Sequence, residues 1–159
     1  MITKEQATVR ALACLSEHQA GTIATAALDS TPFSSSVYFG YLPDFTLFFT
    51  TSHHTAKFRN LIVNPKASFS VGTGPEFREL IIHGTVRRIE GTNEQDQALA
   101  SIKSRVTSPS DTWPIHTVKK LEEGGTALFR VTPTEVLYLD LEDNDQKESA
   151  SKYFYQLFP

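Results

Sequence analysis

Between residues 21 and 52 the chain reads "GTIATAALDSTPFSSSVYFGYLPDFTLFFTTS", three β-rich runs separated only by "DSTP" and "LPD". Those breaks are turn signals and are far too short to carry a crossover connection. Strands joined in this way run antiparallel, so the segment forms a three-stranded meander. In the middle run Phe33, Val37, Phe39 and Tyr41 share one parity, while Ser34, Ser36 and Gly40 share the other. One face of that strand is apolar and the other is small and polar.

The flanking segments fill in an architecture around this meander. "TKEQATVRALACLSEH" reads as a helix opened by a capping box at Thr3 and Gln6, with Ala7, Ala11, Leu12 and Leu15 on one face. After the meander comes a short helix, with Phe58, Leu61 and Ile62 inward and Lys57, Arg59 and Asn60 outward, stopped at Asn64-Pro65. "KASFSVG" is a fourth strand. "FRELIIHGTVRRIEG" is a long fifth strand with Gly84 as a bulge or close-approach point, and "GTGPEFR" before it reads as a turn. "TNEQDQALASIKSRV" is a helix behind a T-x-x-Q box at Thr92 and Gln95, and "SPSDTWPIHT" is loop-like. "TALFRVTPTEVLYLDL" is a bent strand or a strand pair around Pro133. Residues 141–152 are expected to be mobile, and the closing "YFYQLFP" is too aromatic to be left in water. About six strands with few helices, and no regular β–α alternation, exclude a doubly wound sheet. The expectation is a mainly β chain, residues 1–159 as one domain, built as a small antiparallel barrel with helices outside and at its ends.

Composition narrows the function classes. The 159 residues are 40% hydrophobic and 21% charged, and eleven Phe with five Tyr make the core aromatic. A formal charge of −3, with neither half strongly basic, gives no electrostatic grip for nucleic acid. Cys14 is the only cysteine, which excludes internal disulfides and multi-cysteine zinc sites. The start "MITKEQATVR" lacks a signal-like apolar region, and no apolar run approaches the roughly 18 residues of a membrane span. The expectation is a soluble, cytoplasmic protein with no membrane partner.

Chemistry concentrates in "TTSHHTAK", Thr50 to Lys57, where the third strand gives way to the short helix. Two readings stay open. Ser52 or Thr55 can simply cap the helix. Lys57, however, puts a cation in the first turn, against the positive end of the helix dipole. A bound anion removes that conflict, because free N–H groups, the dipole and an ammonium then converge on one phosphate. No P-loop sequence is present. Adjacent His53 and His54 point about 100° apart on a helix and form no ligand pair, and His83 has no completing partners nearby in sequence. No metal site is expected. Ser34, Ser35 and Ser36 read as a small-residue face, since no G-x-S-x-G elbow accompanies them.

Taken together, these segments resemble the pyridoxamine 5′-phosphate oxidase-like family, the FMN-binding split barrels. The family's phosphate loop, T-x-x-x-S-R-K running into a helix, is similar to "TSHHTAK" at Thr51 to Lys57 with its continuation "FRNLIVNPKASFSV". Its R-Q-V-R-V-E-G strand resembles "RELIIHG" at Arg78 to Gly84, and its final strand resembles "LFRVTPTEVLYLD". The resemblance covers roughly residues 3 to 140 and implies a six-stranded antiparallel split β-barrel with flanking helices.

It further implies that Thr55 and Lys57 bind an FMN phosphate, with Thr50 and Thr51 beside the ribityl chain. Ser35, Ser36 and Val37 would run along the isoalloxazine, and Ala56 and Glu79 occupy positions that contact flavin in the family. Family members are homodimers with cofactor at the subunit interface, which gives Trp113 and the aromatic tail a place to bury. The implied activity is flavin-dependent oxidation or reduction of a small molecule, with the hydride chemistry supplied by FMN. A non-catalytic protein holding flavin, haem or a B6 vitamer, or one using a deazaflavin, shares the same loop. Four departures separate the chain from true pyridoxamine 5′-phosphate oxidases. Ala56 and Ser35 stand where those enzymes carry arginines, Glu79 replaces a glutamine, and no arginine follows Arg130.

Overall fold

The computed structural model describes residues 2–72, 78–106, 123–140 and 154–158. The order is α1 (Lys4–Glu17), β1 (Ala20–Ala26), β2 (Pro32–Tyr41), β3 (Leu47–Ser52) and α2 (Ala56–Val63). There follow β4 (Lys66–Val71), β5 (Arg78–Arg88), α3 (Thr92–Lys103), β6 (Thr126–Asp140) and β7 (Phe154–Phe158). The sheet runs β3-β2-β1-β4-β5-β6-β7, and β3 also pairs with β6. Every pairing is antiparallel. The β3–β6 pairing closes β1 to β6 into a barrel, with β7 added along the far half of β6. This is the mainly β, six-stranded split barrel that the meander and its resemblance imply.

The barrel interior is aromatic. Phe39 and Phe69 meet edge to face at 4.9 Å between centroids, and Phe49 stacks on Phe129 at 5.5 Å. Both geometries suit the ring quadrupole. A second, smaller core lies outside the barrel, where Phe48 and Leu128 pack against Ala98 and Ile102 of α3. Gly40 permits that helix to sit so close. A Cβ there would stand 2.4 Å from the Ser101 hydroxyl and 2.8 Å from the Ile102 nitrogen.

Several local expectations hold and several change. Thr3 and Gln6 form their reciprocal box on α1. The box at Thr92 does not form. Gly91 is the N-cap of α3, its carbonyl takes the Gln95 N–H, and the Gln95 side chain bonds the Ile89 carbonyl instead. The segment around Pro133 is one continuous strand with a register shift opposite His83 and Gly84, where a bulge was expected. On α2, Ile62 is 55% exposed, not inward, and Lys57 is only 8% exposed, not outward. The buried stripe runs Lys57, Leu61, Asn64, at helical spacings of four and seven, and Ile62 is turned about 100° from Leu61. The aromatic tail pairs with Val136–Leu139 of β6, with Leu157 buried. Trp113 and residues 141–152 lie outside the described residues.

Two side-chain clamps tie the helices to the barrel. Arg10 pairs with buried Asp140 at 2.8 Å, and the Tyr138 hydroxyl donates to the same carboxylate at 3.2 Å. Burial, then the Asp140 charge, pushes the Tyr138 phenol well above its ordinary range. Arg105, just beyond α3, donates to the Leu15 and His18 carbonyls at the end of α1. Its guanidinium also lies 4.4 Å from the Tyr41 ring centroid. The cation therefore meets the negative end of a helix dipole and an aromatic face together. Arg105→Ala is expected to cost about 3 kcal/mol, from two charge-assisted hydrogen bonds and the lost ring contact. Thermal unfolding would show this as a melting temperature lowered by roughly 6–12 °C; an unchanged melting temperature would show that α1 docks without the clamp.

Candidate functional site

The β3–α2 junction is built by hydroxyls. Thr55 is the N-cap of α2, and its Oγ1 accepts the Phe58 N–H at 3.2 Å. The same hydroxyl donates to the Ser52 carbonyl at 3.0 Å and lies 2.8 Å from Thr51 Oγ1. A hydroxyl has one proton and two lone pairs. With its proton on Ser52, Thr55 accepts from both Phe58 and Thr51, and its capacity is full. Thr51 then spends its own proton on Thr55. The capping reading therefore describes Thr55, and neither threonine has a hydrogen left over for a ligand in this arrangement.

The rest of the junction is equally tied down. The His53 N–H reaches the Gly125 carbonyl at 3.3 Å, and Arg59 donates to the His54 carbonyl at 3.0 Å. The His53 ring lies 4.6 Å from Phe58, which meets Phe129 of the core at 5.9 Å. On the far side of α2, Asn60 donates to Thr25 at 3.1 Å and Asn64 to the Ala26 carbonyl at 3.2 Å. Sequence reasoning placed Asn60 outward and missed this anchor. No local signal marked it, because Lys57, three residues earlier on the same side of the helix, also reads as outward in sequence.

Lys57 is what capping leaves unexplained. Its side chain is buried against the barrel, and burial pushes its ammonium below the ordinary lysine range. Among the described residues no carboxylate or other acceptor pairs with it. Its nitrogen is not among the fully enclosed unpartnered atoms, so the ammonium keeps some access to solvent. The backbone N–H groups of Ala56 and Lys57, in the first turn, have no intrahelical acceptor. Three positive groups thus belong to the first turn of α2, with no carboxylate paired to Lys57 among the described residues, and a phosphate suits such a donor set. Two more polar atoms, Ser35 Oγ and His53 Nε2, are enclosed without a partner.

The remaining candidates spread over the barrel wall. Thr50 is half-buried on β3, opposite Leu128. Ser35 and Val37 face inward on β2, whereas Ser36 faces outward. Strand alternation forbids the three from presenting side chains to one face, so any contact along a ring uses backbone and Ser36. Ser36 lines a recess of about 230 Å³ with His18, Gly21, Thr22 and Ser70. Ala56 offers only its backbone. Glu79 is half-buried on β5, three strands from β2 in either direction around the barrel, so the structure does not gather it with Lys57. A larger recess of about 590 Å³ opens on the outer face of β1, β4 and β5, and sequence reasoning missed it. It joins residues from strands far apart in the chain, which no local pattern reveals. No group of three metal-ligating side chains forms among the described residues, and no helix among them is long and apolar enough to cross a membrane.

Comparisons with known proteins agree with this architecture. No curated protein matches the chain. Among solved structures, a haem-binding protein from Mycobacterium smegmatis superposes with a TM-score of 0.71 at 19% identity, over 92% of this chain and 59% of that one. The chain thus spans somewhat more than half the length of that protein. A Clostridium acetobutylicum protein related to general stress protein 26, of the pyridoxinephosphate oxidase family, matches at TM-score 0.70 and 11% identity, over 98% and 97% of the two chains. An FAD-binding protein from Mesorhizobium loti matches at 0.59 and 17%, over 80% and 90%. At such identities these likenesses establish the fold. The family model described as pyridoxamine 5′-phosphate oxidase matches residues 7–140, and with most of its length so matched the chain belongs to the pyridoxamine 5′-phosphate oxidase family.

Proposed function

We propose that the protein binds FMN and acts as a flavin-dependent oxidoreductase on a small molecule. The observation that carries this reading is the buried Lys57 at the start of α2, without a partner among the described residues. Lys57 and the N–H groups of Ala56 and Lys57 would hold the phosphate, and the backbone of Ser35 to Val37 with Thr50 would border the rest. FMN, when bound, supplies the electron transfer, and the protein's own part is to seat the cofactor and exclude water. The likeness to an FAD-binding protein supports a flavin. Ser35 and Ala56 stand where the resemblance implies arginines, so the expected substrate is not pyridoxamine 5′-phosphate.

The reading includes a homodimer with cofactor at its interface, supported by the exposed Leu28, Phe33, Ile62 and Val63. The cytoplasm suits a chain with one cysteine. A second reading, a non-catalytic binder of haem or a B6 vitamer, draws on the likeness to a haem-binding protein and on the absence of arginine at Ser35 and Ala56. Each missing guanidinium removes about 1.5–3 kcal/mol of charge-assisted bonding. Absorbance separates the two readings. Purified protein mixed with FMN and desalted should keep the flavin bands and bleach with a reduced nicotinamide. A spectrum without flavin bands, or Soret absorbance after adding haemin, would favour the second.

Lys57 also makes a prediction that links affinity to stability. Its folded pKa lies below the unfolded value. Between those values the unfolded chain binds one proton more, so apo stability rises with pH there, and the charge is a burden below it. Lys57→Met should therefore stabilise the ligand-free protein by about 0.5–2 kcal/mol at neutral pH and flatten the alkaline rise. The same change should weaken FMN by about tenfold or more. Melting curves over pH and flavin titrations read both; destabilisation with unaltered affinity would place Lys57 outside any site.

A further inference from the structure

The recess on the outer face of β1, β4 and β5 lies at the C-terminal end of α2, beside Asn64, whereas Lys57 lies at its start. Over eight residues that separates the two by roughly 11 Å along the helix axis. None of the residues that seat the phosphate lines it. At about 590 Å³ it is the size of a small-molecule site. Its floor is a bare strip of sheet, because Ala24 and Ala26 are the outward residues of β1 and Pro32 borders them on β2. Methyl groups on a pleated surface favour a flat apolar partner.

Polar groups stand along one side of that floor. Lys66 and Ser68 project outward from β4, two residues apart, so their Cα atoms are about 6.6 Å apart. Neither side chain has a partner among the described residues. Opposite Ser68 in register is His83, and opposite His83 is Glu135 of β6. His83 Nε2 stands 3.8 Å from the Glu135 carboxylate, near it but beyond hydrogen-bond reach. Here the barrel carries its bulge. His83 faces Glu135 and Gly84 faces Pro133, so Thr134 is the extra residue and turns into the recess. Its hydroxyl donates to the His83 carbonyl at 3.2 Å. Bulges re-aim side chains in this way. Gly84 makes it feasible, since a Cβ there would meet the Thr132 oxygen at 2.6 Å.

We propose that this recess binds a small planar aromatic carboxylate, with the ring on the Ala24–Ala26 floor, the His83 imidazole as its far wall, and the carboxylate between Lys66 and Ser68. The ammonium and the hydroxyl are both donors, and the one acidic side chain at the edge, Glu135, is turned toward His83. An uncharged ring lacks the group that these donors want. The site stands whether or not Lys57 holds a phosphate.

Naphthalene-2-carboxylate tests this by its own fluorescence, titrated into the whole protein beside naphthalene-2-carboxamide. Saturable binding of one carboxylate per chain is expected, with the carboxamide about tenfold weaker, the scale of one charge-assisted contact. Lys66→Ala should weaken the carboxylate about tenfold and leave the carboxamide unchanged. Ala24→Leu, on an outward surface position, should abolish both while the melting temperature holds. Lys57→Met should change neither, which separates this site from the phosphate seat. Equal affinity for acid and amide, no saturable binding, or binding lost as protein concentration rises would overturn the proposal; the last outcome would assign the recess to contact between copies of the chain.

Discussion

Six cross-strand pairs between β3 and β6, from Leu47↔Val131 to Ser52↔Thr126, close the barrel. Everything proposed for the phosphate seat hangs on that closure. Without it β3 would be an edge strand, and the residues after Ser52 would have nothing rigid behind them. With it, Phe49 stacks on Phe129 inside, and Thr51 is buried just above. Thr51 holds Thr55, Thr55 caps α2, and Phe58 returns to Phe129. The first turn of α2 is therefore fixed by the barrel wall rather than by its own eight residues, too few for an isolated helix to be stable.

That rigidity explains how a buried lysine is tolerated at the wrong end of a helix. The Thr51 and Thr55 protons go to Thr55 and to the Ser52 carbonyl, Ser52 Oγ accepts the His54 N–H, and these neutral hydroxyls supply no negative charge to balance Lys57. The Leu61 and Asn64 stripe still docks, carrying the Lys57 stem with it. The chain accepts a local electrostatic penalty, and such penalties gather where a ligand relieves them. The departures at Ser35 and Ala56 sharpen this view. With Ser35 and Ala56 where the family resemblance implies arginines, the proposed phosphate seat consists of one ammonium and two backbone N–H groups. Affinity for a flavin phosphate is then expected to depend on Lys57 to an unusual degree.

Much of this was legible in the chain. Short breaks at "DSTP" and "LPD" announced the meander, Thr3 and Gln6 announced the first helix, and Gly84 marked the bulge. Local chemistry determines such features within a few residues. Lys57 was placed outward because charge usually faces solvent, and only the packing of α2 on β1 reversed that. The Thr92 box failed because Gly91 served as cap and Gln95 found the Ile89 carbonyl. The recess at His83 and Lys66 was invisible, since it joins strands by register rather than by sequence spacing. The parity of β2 was read correctly, yet it also shows that Ser35, Ser36 and Val37 cannot all present side chains to one flat ring.

Lys57 is proposed to meet a phosphate. Comparing FMN with riboflavin isolates that group, because the two share the ring and ribityl chain. Calorimetric affinities of both ligands, for the native chain and for Lys57→Met, form a double cycle. FMN is expected to bind the native protein at least tenfold more tightly than riboflavin, with the advantage largely lost in the variant. Equal affinities for the two ligands in the native chain, or an advantage that survives the substitution, would contradict it.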